Sequence, residues 1–81
     1  MDKATFQKEM RDLAEDRFEW AEECEDCFVW TSENDYVAIE LVDDGTFAVE
    51  CENGYVKTFK DIDRAKEDVL ELIAAICEQQ L

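Results

Sequence analysis

Near its start, the chain repeats apolar residues at intervals typical of a helix. Steps of three, four or seven separate Phe6, Met10, Leu13, Trp20 and Cys24. This spacing is that of an amphipathic helix with one buried side. We therefore predict a first helix over roughly residues 5–24, with Thr5 or Asp2 as its N-cap.

Beyond that segment, apolar and polar residues alternate with a period of two, which is typical of half-buried strands. Four runs show it, at residues 27–32, 36–41, 47–52 and 55–59. Turn-forming residues separate the runs, at residues 34–35, 43–45 and 53–54. We predict four strands joined by three hairpins.

The apolar pattern also predicts how the strands pair. A three-residue loop with Gly45 in the left-handed conformation pairs Leu41 with Phe47 and keeps the apolar side chains on one face. Two-residue loops at 34–35 and 53–54 place Trp30 opposite Ile39 and Cys51 opposite Val56.

A second helix follows the strands, with Asp61 as its N-cap. Its buried stripe consists of Ile62, Ala65, Val69, Leu72, Ile73 and Ile76. The predicted fold is a single α+β domain spanning residues 1–81. Its order is α-β-β-β-β-α, an antiparallel meander with both helices packed on one face.

Charge is the most unusual property of the chain. It has 23 acidic and 8 basic residues, no histidine and a formal net charge of −15. Such a surface repels nucleic acid and anionic membranes and attracts basic proteins. We expect no direct nucleic-acid or membrane binding. No secretory leader or long apolar run is present, so we expect a cytoplasmic protein.

The sequence offers little for catalysis or metal binding. Histidine, the commonest general base, is absent, and the two glycines form no phosphate-binding loop. Cys24 and Cys27 form a C-x-x-C motif, but the predicted topology puts Cys51 and Cys77 near the opposite end of the sheet. Acidic neighbours disfavour a reactive thiolate. We expect buried thiols, no cofactor and no enzyme, with a metal or redox protein as the alternative.

Two acidic surfaces are candidate partner-binding sites. In the predicted first helix, steps of three and four place one carboxylate stripe at Glu9, Asp12, Asp16, Glu19 and Glu23. Its spacing is similar to that of phosphates along a nucleic-acid strand. A charge run is also often just a solvated surface, and that interpretation stays open.

The second candidate is the outer face of the sheet. The predicted register places there Tyr36 and Tyr55 beside Glu40, Glu50 and Glu52. Exposed aromatic residues rimmed by acids favour a protein interface. Alternatives are an ordinary half-solvated sheet and a homodimer through this face.

In length, element order and the acidic stripe Glu9–Glu23, the chain resembles the small phage-encoded anti-CRISPR and anti-restriction proteins, several of which mimic DNA. The resemblance implies a non-enzymatic inhibitor that binds a basic nucleic-acid-binding protein or nuclease complex in the host cytoplasm. The alternatives are a general adaptor that binds through the outer sheet face, and an acidic homodimeric domain without an inhibitory role. Monomer and homodimer both remain open.

Overall fold

A computed structural model describes residues 1–79 and contains two helices and one five-stranded sheet. The elements, in chain order, are α1 (Lys3–Ala14), β1 (Glu22–Glu23), β2 (Cys27–Thr31), β3 (Tyr36–Leu41), β4 (Phe47–Cys51), β5 (Val56–Phe59) and α2 (Ile62–Gln79). Every neighbouring pair of strands is antiparallel, and the spatial order follows the chain order. The predicted α+β meander with two helices is confirmed, with the short β1 as an addition.

Helix α1 is shorter than the sequence pattern predicts. It begins after Asp2, whose carboxylate accepts a hydrogen bond from the Thr5 amide at 2.8 Å. It ends at Ala14, and the next residue, Glu15, has φ 21° and ψ −104°, outside the helical region. The prediction of a helix over residues 5–24 was therefore wrong beyond Ala14. Extending the helix would have stacked like charges on successive turns, which opposes helix formation.

The segment after α1 folds back along the helix instead. The indole N–H of Trp20 donates a hydrogen bond to the carbonyl oxygen of Met10 at 2.8 Å. The Trp20 ring lies edge-on to Phe18 at 4.9 Å and to Phe28 at 5.5 Å between centroids. Trp20 thus joins the core from a loop, even though its spacing in the sequence matches a helix.

The hairpin between β3 and β4 has the predicted register. Leu41 pairs with Phe47, and Ile39 pairs with Val49. The Val42 amide donates to the Thr46 carbonyl at 2.9 Å, and Gly45 has φ +88°. The three-residue turn with a left-handed glycine is confirmed.

The hairpin between β4 and β5 was predicted one residue out of register. Glu50, and not Cys51, pairs with Val56. The loop again has three residues, because the Cys51 amide donates to the Tyr55 carbonyl at 3.0 Å and Gly54 has φ +89°. A shift of one residue exchanges the faces of a strand. Tyr55 consequently points towards the helices, and Val56 points away from them.

The hairpin between β2 and β3 was also predicted in the wrong register, but by two residues. Trp30 pairs with Val37 instead of Ile39. The two-residue loop is at residues 33–34, because the Ser32 amide donates to the Asp35 carbonyl at 2.8 Å. A shift of two residues leaves every side chain on its predicted face, since the period of a strand is two.

Both helices cover the inner face of the sheet, where the core lies. The Phe6 ring of α1 contacts the rings of Phe28 and Phe47, with centroids 5.7 and 6.1 Å away. Helix α2 begins at the predicted cap, Asp61, whose carboxylate accepts from the Asp63 amide at 3.0 Å. Its buried side chains, all predicted, are Ala65, Val69, Ile73 and Ile76. Neither helix in residues 1–79 has the apolar length needed to span a lipid bilayer. Neither helix covers the opposite face of the sheet.

Candidate protein-binding face

The acidic stripe predicted for the first helix is not formed. Only Glu9 and Asp12 lie on α1. Asp16 and Glu19 follow the end of the helix, and Glu23 is in β1. Because the five carboxylates belong to a helix, a loop and a strand, they do not repeat at the spacing of a helix face. That part of the prediction is corrected.

Three of the five carboxylates are also paired with cations. Glu9 forms an ion pair with Lys66 of α2, and both side chains are partly buried. Asp12 is 3.2 Å from the Lys8 ammonium, and Glu23 is 3.0 Å from the Arg11 guanidinium. The basic residues of the helices thus offset much of the acidic charge beside α1.

A second group of carboxylates lies on the side of the sheet turned away from the helices. We define the outer face as the strand residues with side chains on that side, namely Glu22, Cys27, Val29, Thr31, Tyr36, Ala38, Glu40, Ala48, Glu50, Val56 and Thr58. These positions are acidic, apolar or small, and none is lysine or arginine. In the described strands, the outer face therefore has three carboxylates and no cation of its own.

Two alanines lie at the centre of the outer face with a carboxylate on each side. Glu40 pairs with Ala48, and Glu50 pairs with Ala38, so the two glutamates are diagonal neighbours. Diagonal side chains on one face are roughly 7 Å apart. The small alanines leave a shallow depression of about 40 Å³ between them, which Cys27 also lines.

The chemistry of Cys27 reflects this surrounding charge. Burial, followed by the nearby charges of Cys24, Glu40, Asp26 and Glu50, raises the pKa of the Cys27 thiol to about 11. A thiol with such a pKa stays protonated at neutral pH and is a poor nucleophile. The depression is thus suited to attracting a cation and unsuited to thiol chemistry.

Tyr36 lies on the same face, beside the carboxylates. Its side chain is half-buried and stands opposite Thr31 of the neighbouring strand. Burial raises the pKa of the Tyr36 hydroxyl, and the charges of Glu50 and Glu52 raise it further. The structure therefore brings together four of the predicted site residues: Tyr36, Glu40, Glu50 and Glu52.

Tyr55 was predicted on the outer face, and this was wrong. Because of the register of β5, its ring packs against the core beside α2. Its hydroxyl donates to the Asp68 carboxylate, with distances of 2.9 and 3.1 Å to the two oxygens. Burial, together with this hydrogen bond and the charge of Asp68, raises the pKa of Tyr55 to about 12. Tyr55 is a structural link between the sheet and α2.

Sequence reasoning missed several members of the outer face. Glu22 belongs to the edge strand β1 and stands opposite Val29. Val56 belongs to β5, at the opposite edge of the sheet, and its side chain is 63% exposed. Residues 24–27 form a tight hairpin between β1 and β2, in which the Cys24 amide donates to the Cys27 carbonyl at 2.8 Å. A turn at that point extends the sheet by one strand.

The cysteines are distributed over several environments. Cys24 and Cys77 are exposed, Cys27 is half-buried, and Cys51 is buried on the inner face. Within residues 1–79, no group of three or more cysteine, aspartate or glutamate side chains is arranged to hold a metal ion. No family model matches the chain, and no curated protein or solved structure is significantly similar to it.

Proposed function

We propose that this chain is a non-enzymatic protein-binding module whose outer face binds a basic surface of another protein. The observation that carries the proposal is the composition of that face. Its carboxylates Glu22, Glu40 and Glu50 surround apolar side chains without an intervening cation. Three of the carboxylates on or beside α1, in contrast, have cationic partners.

The arrangement of the glutamates is costly to the isolated protein. Carboxylates at diagonal positions of one sheet face, roughly 7 Å apart, repel each other. Lysine at either diagonal position would have relieved that repulsion. A basic partner relieves it on binding, so that the same charges then strengthen the complex and speed its association.

The partner class follows from the charge and its distribution. Residues 18–56 contain twelve acidic residues and no lysine or arginine. A continuous basic surface that could match this region is typical of proteins that bind nucleic acid. By occupying such a surface, the chain would compete with nucleic acid and act as an inhibitor. This conclusion rests on the outer face, since the predicted helical stripe is not formed.

The direct test is displacement of labelled duplex DNA from basic nucleases and repressors. The wild-type chain should displace DNA from its target, and its affinity should fall steeply between about 50 and 200 mM salt. The double variant Glu40→Lys/Glu50→Lys should lose displacement. The control Glu19→Lys/Glu78→Lys makes the same change in net charge at exposed sites away from this face, and it should retain most of the activity.

The control variant decides where the binding surface lies. If Glu19→Lys/Glu78→Lys abolishes displacement while Glu40→Lys/Glu50→Lys does not, the outer face is not the site. If the two variants weaken displacement equally, only total charge matters and the proposal of a defined face fails. Circular dichroism of each variant checks that the fold is retained.

A general adaptor is the second candidate, favoured by the exposed Val56 and the half-buried Tyr36 on the same face. An adaptor that binds through apolar contact should depend little on salt. In that case Tyr36→Ala should weaken binding more than the substitution of Glu40 and Glu50. The same titrations therefore separate the two candidates.

A further inference from the structure

Strand β5 forms one edge of the sheet, with β4 as its neighbour on one side in the described part of the chain. Three of its four residues, Val56, Lys57 and Thr58, are exposed. The other edge, β1, has two residues, both glutamate. An exposed edge strand presents unpaired main-chain groups that can pair with another strand.

The hydrogen-bond pattern identifies which groups of β5 are free. The Cys51 amide donates to the Tyr55 carbonyl, and hydrogen-bonded positions recur at every second residue of an antiparallel pair. Lys57 and Phe59, which pair with Val49 and Phe47, therefore direct their main-chain groups at β4. Val56 and Thr58 direct their N–H and C=O groups away from the sheet, where they can accept another strand.

A charged groove runs beside this edge, between β5 and α2. It has a volume of about 480 Å³. Five carboxylates and two cations line it together with Phe59: Asp61, Asp63, Glu67, Asp68, Glu71, Lys57 and Arg64. One of the two cations, the Lys57 ammonium, lies over the Phe59 ring at 5.3 Å. The groove thus favours basic side chains.

We propose that the β5 edge binds an extended basic segment of a partner protein, which adds to the sheet as a sixth strand. Main-chain hydrogen bonds to Val56 and Thr58 would supply affinity, as in other cases of strand addition. Because side chains of the added strand alternate, one set enters the groove beside α2. Lysine or arginine suits those positions, and apolar residues suit the other set, which lies next to Val56.

Charge argues against a second copy of this chain as the occupant. The chain has a formal net charge of −15, and pairing two β5 strands would bring two acidic grooves together. Like-charged surfaces juxtaposed in this way oppose association. The side chains of Val56 and Thr58 belong to the outer face, but strand addition uses their main-chain groups and not the carboxylates of Glu22, Glu40 and Glu50. This inference therefore does not rest on the proposed function.

The test uses a peptide of alternating lysine and valine. We expect it to bind the intact chain and to slow hydrogen exchange of the Val56 and Thr58 amides by about tenfold or more, as read by NMR. The Lys57 amide, already bonded to β4, should change less. Two control peptides carry N-methyl groups on alternate amides, one version for each edge of the peptide strand. Both keep the charge, but each loses the hydrogen bonds along its methylated edge. The version methylated on the edge that pairs with β5 should fail to protect the Val56 and Thr58 amides.

Substitution of Thr58 provides a matched pair of variants. Thr58→Pro removes the outward N–H, a position where proline is compatible with an edge strand. This variant should lose peptide binding, whereas Thr58→Ala should retain it. If Thr58→Pro does not fold, the comparison of the methylated and unmethylated peptides decides alone.

Several results would overturn the inference. The unmethylated peptide could fail to bind, or all methylated versions could bind as well as it does, which would show attraction by charge alone. Unchanged exchange at Val56 and Thr58 would also exclude strand addition, as would a dimer formed through β5. The variant Glu40→Lys/Glu50→Lys should still show protection at Val56 and Thr58, so failure of the proposed function and failure of this inference are distinguishable.

Discussion

The hydrogen bond between Tyr55 and Asp68 permits a quantitative test of how the sheet is joined to α2. Tyr55→Phe removes one hydroxyl and leaves the ring in place. The hydroxyl is 2.9 and 3.1 Å from the two carboxylate oxygens. A buried hydrogen bond to a charged group contributes about 1.5–3 kcal/mol. We take the lower end of this range because the Tyr55–Asp68 pair is only half-buried.

We therefore expect Tyr55→Phe to lower the free energy of unfolding by about 1.5 kcal/mol. For a domain of this size, such a loss lowers Tm by roughly 6–12 °C. Urea unfolding followed by tryptophan fluorescence measures the change. Tyr36→Phe is the control, because the Tyr36 hydroxyl has no hydrogen-bond partner within residues 1–79. It should leave the unfolding midpoint unchanged.

The pH dependence of the free energy of unfolding is an independent test of the Tyr55–Asp68 hydrogen bond. The pKa of Tyr55 is raised to about 12, chiefly by burial and then by Asp68. In an unfolded chain, tyrosine titrates near pH ~10. Because the folded-state pKa is the higher one, the stabilisation is complete below about pH 10 and is lost as pH rises towards 12. The stability difference between wild type and Tyr55→Phe should shrink over that interval.

Two results would refute this reasoning. The first is a Tyr55→Phe variant as stable as wild type at neutral pH. The second is a difference in stability that stays constant between about pH 10 and pH 12. A double-mutant cycle with Asp68→Ala locates the effect, since the two substitutions should be strongly non-additive if the hydroxyl and the carboxylate act on each other.

Three further experiments test the fold. Phe6→Ala should lower the free energy of unfolding by about 3–5 kcal/mol in urea titrations, because the ring is fully buried; a loss under 1 kcal/mol would contradict its central position. Gly45→Ala and Gly54→Ala should each cost about 1–2 kcal/mol from backbone strain alone, since no atom lies within 4 Å of the added Cβ; asparagine should cost less at either site. Iodoacetamide at pH ~8, followed by peptide mass spectrometry, should modify exposed Cys24 well before Cys27; equal rates would contradict the raised pKa of Cys27.

The sequence was sufficient to predict the layers of this fold because apolar periodicity reports burial directly. The buried side chains of α2 and the Gly45 hairpin followed from it without any tertiary information. An error of two residues in the β2–β3 register left Trp30 on its predicted face. The error of one residue in the β4–β5 register moved Tyr55 from one face of the sheet to the other.

The Tyr55 error has a physical origin. Pairing Cys51 with Val56 matches two apolar residues, so hairpin chemistry alone favoured it. The observed register instead exposes Val56 and gives the Tyr55 hydroxyl an acceptor in α2, thirteen residues away. A partner on a later helix cannot be inferred from the hairpin sequence, and it alters which register is the more stable.

The error in the first helix has a different origin. Trp20 falls at a helical spacing from Leu13, yet it packs from a loop that returns along α1. The repulsion among acidic residues on successive turns was an argument against the helix itself. Of the candidate site, the sequence could predict the outer-face carboxylates Glu40 and Glu50, because the β3–β4 hairpin has a well-specified turn. It could not predict which carboxylates beside α1 would find cations.

Because side chains alternate along each strand, the sheet has an inner and an outer set of residues, and the two sets contribute differently to stability. Fold stability depends on the inner set, with Phe28, Ile39 and Val49 completely buried. The outer set contributes little to packing, and its central members are alanines. Substitutions there can accumulate with little effect on folding. If the outer face binds a partner as proposed, its specificity can therefore change through evolution or engineering while the same scaffold persists.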